Sequence, residues 1–223
     1  MTTTIAAAAA TRASRRQWLA PVGLVLLSLI PVLAGAARLS EITGGALETA
    51  QNARFLDSPI PVLTHIVSVT VFSLLGAFQF VPALRRGRAR WHRTAGRILI
   101  PAGVLSALSG MWMAVFYQLP AGDGFALLVL RLLFGSAMLA SIALAVRAII
   151  RRDFVTHSEW MTRAYAIALG AGTQALLLIP SGILFGAHSE IPRAVVMGTA
   201  WALNLAVAEL VIRRRAAVDG VTR

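Results

Sequence analysis

The chain has 223 residues, of which 57% are hydrophobic and 13% are charged, and its formal net charge is +12 at pH 7. Soluble domains contain roughly 25% charged residues, so folding in water would leave more apolar surface than a domain of this size can cover. The sequence contains no cysteine, which excludes disulfides, thiolate metal sites and cysteine-ligated iron–sulfur clusters. Its arginines lie at the ends of apolar segments, which favours lipid headgroups over nucleic acid as their partner.

The chain begins with a low-complexity basic segment, residues 1–16, which we predict to be a disordered tail. The apolar run that follows, residues 17–37, is long enough to span a bilayer. The pair Arg15-Arg16 and the small residues Ala34-Gly35-Ala36 also resemble an export signal with its cleavage site. We favour an uncleaved anchor, because the apolar run is longer than a typical signal core and because retaining it gives an even number of spans.

Five further apolar segments follow, and each reaches the roughly 20 residues that a membrane helix needs. We predict these helices at residues 60–84, 93–117, 125–149, 158–184 and 194–213. The predicted fold class is therefore an all-α polytopic transmembrane bundle of six helices over residues 17–215, followed by a cytoplasmic tail at 216–223. The longest connection precedes the second span, and we expect a short interfacial helix in it.

Arginine asymmetry predicts the orientation of the bundle. The connections on one side contain 17 arginines and those on the other side contain three, Arg38, Arg54 and Arg193. Because positively charged connections stay on the cytoplasmic side, we predict that both chain ends are cytoplasmic and that the protein lies in the cell membrane.

Ionisable groups at membrane depth are candidates for function, because placing them there is costly. His92 and His157 open the third and fifth spans from the same side, so they can meet. His65 lies near the opposite side, about 28 Å from that level at 1.5 Å per residue. In the third span Gly96, Gly103 and Gly110 recur every seven residues on one face. This stripe is consistent with space for a flat macrocycle and equally with a closely packed neighbouring helix.

Arg131 is the ionisable residue inside the fourth span. It can pair with Asp123, or it can act as a clamp for an anion such as a carboxylate. Glu209 and Arg213 are four residues apart, which predicts a local ion pair. Gln79, Gln174 and Asn204 are interpreted as interhelical hydrogen-bonding residues; Gln174 and Asn204 lie in the last two spans.

Two stretches of the sequence resemble a known bacterial family. The first runs from His65 to the segment His92-Arg93-Thr94-Ala95-Gly96-Arg97, and the second includes Arg151-Arg152-Asp153, His157 and Trp160-Met161. Together they resemble the predicted membrane proteins of domain-of-unknown-function family 2306 over roughly His65–Pro180. The family label implies a membrane location and supplies no activity.

A weaker likeness of arrangement is to six-helix b-type cytochromes, in which the third and fifth helices hold one haem. That resemblance implies His92 and His157 as haem axial ligands, with propionate contacts from Arg93, Arg97 and Arg163 and with a quinone or small reductant as partner. In those cytochromes the second and fourth helices hold the other haem. The fourth span here lacks a histidine, so the resemblance implies at most one haem.

The alternative is a non-enzymatic membrane protein without cofactor: a small transporter, a lipid-binding protein or an accessory subunit. In that case His65 and Arg131 would line an external cavity. Neither hypothesis fixes whether the protein is an enzyme, which metal if any it holds, or whether it forms a homo-oligomer or joins a partner subunit.

Overall fold

A computed structural model describes residues 2–120, 122–185 and 190–221 of the chain. The described residues contain helices and turns but no strand. Six helical stretches are long and apolar enough to cross a membrane: Gln17–Thr43, Pro59–Phe80, Arg90–Phe116, Phe125–Ile150, Phe154–Leu184 and Glu190–Ala217. The predicted all-α fold with six membrane helices is confirmed.

Nine α-helices build these spans and their connections over the described residues. They are α1 (Thr2–Thr43), α2 (Ala53–Asp57), α3 (Pro59–Ala77), α4 (Pro82–Gly87), α5 (Ala89–Phe116), α6 (Phe125–Ile150), α7 (Phe154–Ala168), α8 (Gly170–Phe185) and α9 (Glu190–Val221). A short 3₁₀ turn, Phe78–Phe80, joins α3 to the connection that holds α4. The short helix expected before the second span is α2.

Two elements differ from the sequence-based expectation. The first helix begins at Thr2 and so includes the segment for which we predict disorder. This segment contains a run of alanines, and alanine has the highest helix propensity of all residue types. The fifth span is interrupted at Leu169, which separates α7 from α8. Glycines favour such kinks, and Gly170 lies directly against Trp201, because a Cβ atom there would stand 2.3 Å from the indole Cδ1.

The interior of the bundle lies between four helices. α3 packs against α5, α5 against α6, α6 against α7, and α7 returns to α3, while α1 contacts α3 and α8 and α9 lies against α6, α7 and α8. Phe72, Leu99, Ile142 and Tyr165 come one from each of the four helices and belong to one buried apolar cluster.

The two ends of the bundle differ in their arginine content. The arginine-rich end is the one at which α5 and α7 begin, and the arginine-poor end is the one at which α3 and α6 begin. Which end faces the cytoplasm stays a prediction.

Candidate functional site

A cavity of about 340 Å³ opens within the bundle near the arginine-poor end. Its walls come from α2, α3, α5, α6, α8 and α9, from the end of α7 and from the connection between α5 and α6. Ligand sites typically have volumes of roughly 300–1,000 Å³, with mostly apolar walls and a few polar groups. Met111, Met138 and Trp201 contribute apolar wall here, while Arg54 and Arg131 contribute positive charge.

His65 lies on the inner face of α3 and lines this cavity. Its Nδ1 is 2.9 Å from the Ser106 carbonyl oxygen and 3.2 Å from Ser109 Oγ on α5. A carbonyl only accepts a hydrogen bond, so Nδ1 carries a proton, and in a neutral ring Nε2 is then the acceptor. Gly110 makes room for this ring, since a Cβ there would lie 3.1 Å from His65 Cε1.

Arg131 is bound by a buried carboxylate that joins three parts of the chain. Asp123, in the connection between α5 and α6, accepts hydrogen bonds from Arg131 Nη2 on α6 and from Arg193 Nε on α9, each at 2.6 Å. The Asp123 side chain is only 1% exposed. The predicted pair with Arg131 is confirmed. Sequence reasoning missed Arg193, which lies 70 positions further along the chain and has no local relation to Asp123.

Arg54 adds a second arginine to the lining of the cavity. Its Nη1 donates to the Gln118 carbonyl at 3.1 Å, and its guanidinium lies 4.6 Å from the centre of the Phe55 ring. Burial lowers the pKa of Arg54, and the charges of Arg38 and Arg131 lower it further, whereas Asp123 opposes the shift. The position is therefore electropositive as well as partly desolvated.

Polar contacts hold the connection between α1 and α3, which contributes Arg54 and Phe55 to the cavity wall. Asn52 donates to Glu41 Oε1 at 2.7 Å and to the Leu47 carbonyl at 3.0 Å, and its side-chain oxygen accepts from the Thr49 amide at 2.6 Å. Tyr117 donates to the Ser58 carbonyl at 2.5 Å. α2 is thereby fixed as part of the cavity wall.

The charges around the cavity favour an anion. Among the described residues that line it, Arg54 and Arg131 are cationic and Asp123 is anionic. Asp123 also forms an ion pair with Arg193, which is not among the lining residues. One carboxylate is therefore shared between two arginines while Arg54 donates to a neutral carbonyl, so the lining carries excess positive charge.

The arginine-rich end places its candidate residues differently. His157 Nδ1 is 2.9 Å from the Ala145 carbonyl oxygen at the end of α6, while His92 is half-buried in the first turns of α5. Arg93 and Arg97 are exposed. Arg163 donates to both carboxylate oxygens of a residue on α9, at 2.5 and 3.1 Å.

That residue on α9 is Glu209, for which the spacing predicts a local ion pair with Arg213. The prediction of its partner is wrong, because the carboxylate forms its ion pair with Arg163 on a neighbouring helix. Arg163 is also the residue predicted to contact a haem propionate, and its guanidinium is already engaged by this carboxylate and by the Trp160 ring, 4.5 Å away.

Packed side chains occupy part of the space below the two histidines, at Gly103, whereas a Cβ on Gly96 would meet nothing within 4 Å. A Cβ on Gly103 would lie 2.6 Å from Phe72 Cε2 and 2.8 Å from Ile142 Cδ1. The glycine stripe therefore accommodates neighbouring side chains at this level, as the close-packing interpretation predicts. Tyr165 fills the adjacent space and donates to the Ser73 carbonyl at 2.6 Å. The haem ligands thus stay a prediction that the packing does not support.

Two of the three predicted interhelical hydrogen-bonding residues make such bonds, whereas the prediction for Gln79 is wrong, because its buried side-chain nitrogen and oxygen have no hydrogen-bond partner among the described residues. Gln174 on α8 donates to the Met197 carbonyl on α9 at 3.3 Å. Asn204 on α9 donates to the Ala166 carbonyl at 3.2 Å and accepts from Thr173 at 2.9 Å. Since Gln174 lines the cavity, these bonds fix the part of the cavity wall that α8 and α9 form.

A family model described as predicted membrane protein (DUF2306) matches residues 62–212, which is more than half of the chain. The chain belongs to this family. The matched region includes His65 and Arg131 at the arginine-poor end and His92 and His157 at the arginine-rich end, whereas Arg54 lies outside it. No curated protein and no solved structure matches the chain.

Proposed function

We propose that this protein is a non-enzymatic membrane protein that binds, and in doing so carries, a small amphipathic anion in the cavity at the arginine-poor end. The proposal places it in the cell membrane with the arginine-rich end in the cytoplasm. The observation that carries it is the joining, in one cavity of about 340 Å³, of Arg54, Arg131 and His65 with an apolar wall.

The polar residues suit an anionic head group. Guanidinium groups donate several hydrogen bonds in a plane, which matches the oxygens of a carboxylate or a similar anion. Arg131 enters from α6 and Arg54 from α2, so they approach the cavity from different elements. His65 supplies an acceptor for a neutral O–H or N–H donor on the same ligand.

The apolar residues suit a short hydrocarbon chain. Trp201 stacks on Phe134 with ring centres 4.8 Å apart, and Met111 and Met138 line the space beside them. Methionine side chains adapt to irregular shapes and aromatic rings bury large areas. An amphipathic ligand would therefore place its head near the arginines and its chain deeper in the bundle.

The test compares three probes that share an eight-carbon chain: octanoate, octanol and octyltrimethylammonium. Thermal unfolding of the protein is measured in nanodiscs made of neutral lipid. We expect octanoate to stabilise the protein most, because it is the probe with a negative head group. A ligand at 100 times its dissociation constant adds about 2.7 kcal/mol to the free energy of unfolding. Equal effects of the three probes would show partitioning of the chain alone and would contradict the proposal.

Two variants with the same change of charge serve as the control pair. Arg131→Gln removes a cation from the cavity and should abolish most of the octanoate effect. Arg97→Gln removes an exposed cation from the arginine-rich end and should leave the effect unchanged. A loss of the octanoate effect in both variants would contradict the assignment of the site.

A further inference from the structure

Asp123 occupies one of the hydrogen-bond donors of Arg131, the Nη2 atom, that an anionic head group could otherwise use. Its Oδ2 atom accepts from Arg131, which lines the cavity, and its Oδ1 atom accepts from Arg193, which is not among the lining residues. The two contacts use different oxygens, so one can be exchanged while the other is kept. A buried carboxylate that keeps one arginine partner remains paired and avoids the cost of an isolated buried charge.

The backbone that holds Asp123 belongs to a connection and not to a helix. Gly122, which precedes it, has φ +87°, a conformation that favours glycine. The Asp123 amide donates to the Pro120 carbonyl at 3.0 Å, and α6 begins only at Phe125. The bonds from Arg131 and Arg193 are therefore the described side-chain ties of Asp123 to α6 and α9.

We propose that the ligand's head group is a carboxylate, and that it binds by replacing Asp123 on Arg131 while Asp123 stays on Arg193. This inference rests on the proposed function and adds the chemical class of the head group and a regulatory role for Asp123. The exchange substitutes one carboxylate for another on the guanidinium of Arg131, so that cation stays paired with an anion. Asp123 is then an internal competitor that weakens binding and couples ligand entry to the loss of its side-chain bond to Arg131 on α6.

The first test measures octanoate affinity for the full chain in neutral nanodiscs. Asp123→Asn keeps the shape of the side chain and removes the competing charge, so we expect octanoate to bind roughly tenfold more tightly or better. The matched control is Asp57→Asn, which removes an exposed carboxylate at the same end of the bundle and should change affinity little. An equal gain in both variants would overturn the exchange, since it would report only the general field.

The remaining outcomes separate the two proposals. If the unaltered protein binds octanoate and Asp123→Asn binds it no better, the exchange is overturned and the binding site stands. If neither protein binds octanoate, the proposed function itself fails.

A second measurement uses only the unaltered protein and covers the case in which Asp123→Asn does not fold. Hydrogen exchange at the Asp123 amide is followed with and without saturating octanoate. Replacement of Asp123 on Arg131 predicts faster exchange there, because a tie between the connection and α6 is lost. Unchanged or slower exchange at saturation would overturn the inference.

Discussion

Both ends of the bundle carry a histidine whose Nδ1 bonds a backbone carbonyl, but the surroundings of the two rings differ. At the arginine-poor end, His65 is fixed by Ser106 and its ring lines a cavity. At the arginine-rich end, His157 is fixed by Ala145, and the interior below it is filled by the Phe72–Tyr165 cluster. A histidine held by a carbonyl therefore indicates orientation of the ring and does not by itself indicate a ligand.

The ion pairs at the two ends differ in the same way. Arg163 at the arginine-rich end has one carboxylate to itself, because Glu209 binds it through both oxygens. Arg131 at the other end shares the carboxylate of Asp123 with Arg193. Arg163 and Glu209 balance each other's charge and join α7 to α9. The two arginines that share Asp123 leave unbalanced positive charge beside a cavity.

The largest expected effect is a loss of stability when a larger side chain is placed in the packed interior at Gly103. Gly103→Val places side-chain atoms where Phe72 and Ile142 already lie, and overpacking of this kind costs roughly 1–3 kcal/mol. The free energy of unfolding in detergent should fall accordingly. Gly96→Ala on the same helix meets nothing within 4 Å and is the matched control, expected to be neutral or slightly stabilising. Equal losses in the two variants would contradict the packing described.

No effect on the absorption spectrum is expected when haem is supplied. Protein expressed with haem precursor and purified in detergent should show no Soret band before or after dithionite, because packed side chains fill the space between α5 and α7 at Gly103. The observation that would reverse this conclusion is a Soret band with sharp α and β bands on reduction, lost in His92→Ala and in His157→Ala. The cytochrome likeness would then hold, and the core would have to open around the haem.

Much of the fold could be predicted from the sequence, because the bilayer imposes it. Helix length, apolar content and arginine position are properties of each segment alone, so the six spans follow directly. The pair Arg131–Asp123 was also predictable, since its members are eight positions apart at one end of a span. The break at Leu169 was not, because it depends on how Gly170 meets Trp201 on another helix.

The candidate site was only half predictable for the same reason. His65 and Arg131 are conspicuous as ionisable groups in apolar segments, so the sequence singles them out. Arg54 and Arg193 lie in or beside connections and resemble ordinary interfacial arginines. Their role at the cavity depends on where α2 and α9 are placed, which is set by contacts such as Asn52 with Glu41 that no spacing rule specifies.

The most direct test of the ligand site asks where a bound chain lies. Octanoate carrying bromine at its far end quenches tryptophan fluorescence on contact, and Trp201 lines the cavity whereas Trp91 and Trp160 lie near the arginine-rich end. The account predicts saturable quenching that is largely lost in Trp201→Phe and retained in Trp160→Phe. Quenching that does not saturate, or that is unaffected by Trp201→Phe, would contradict a ligand site at the arginine-poor end.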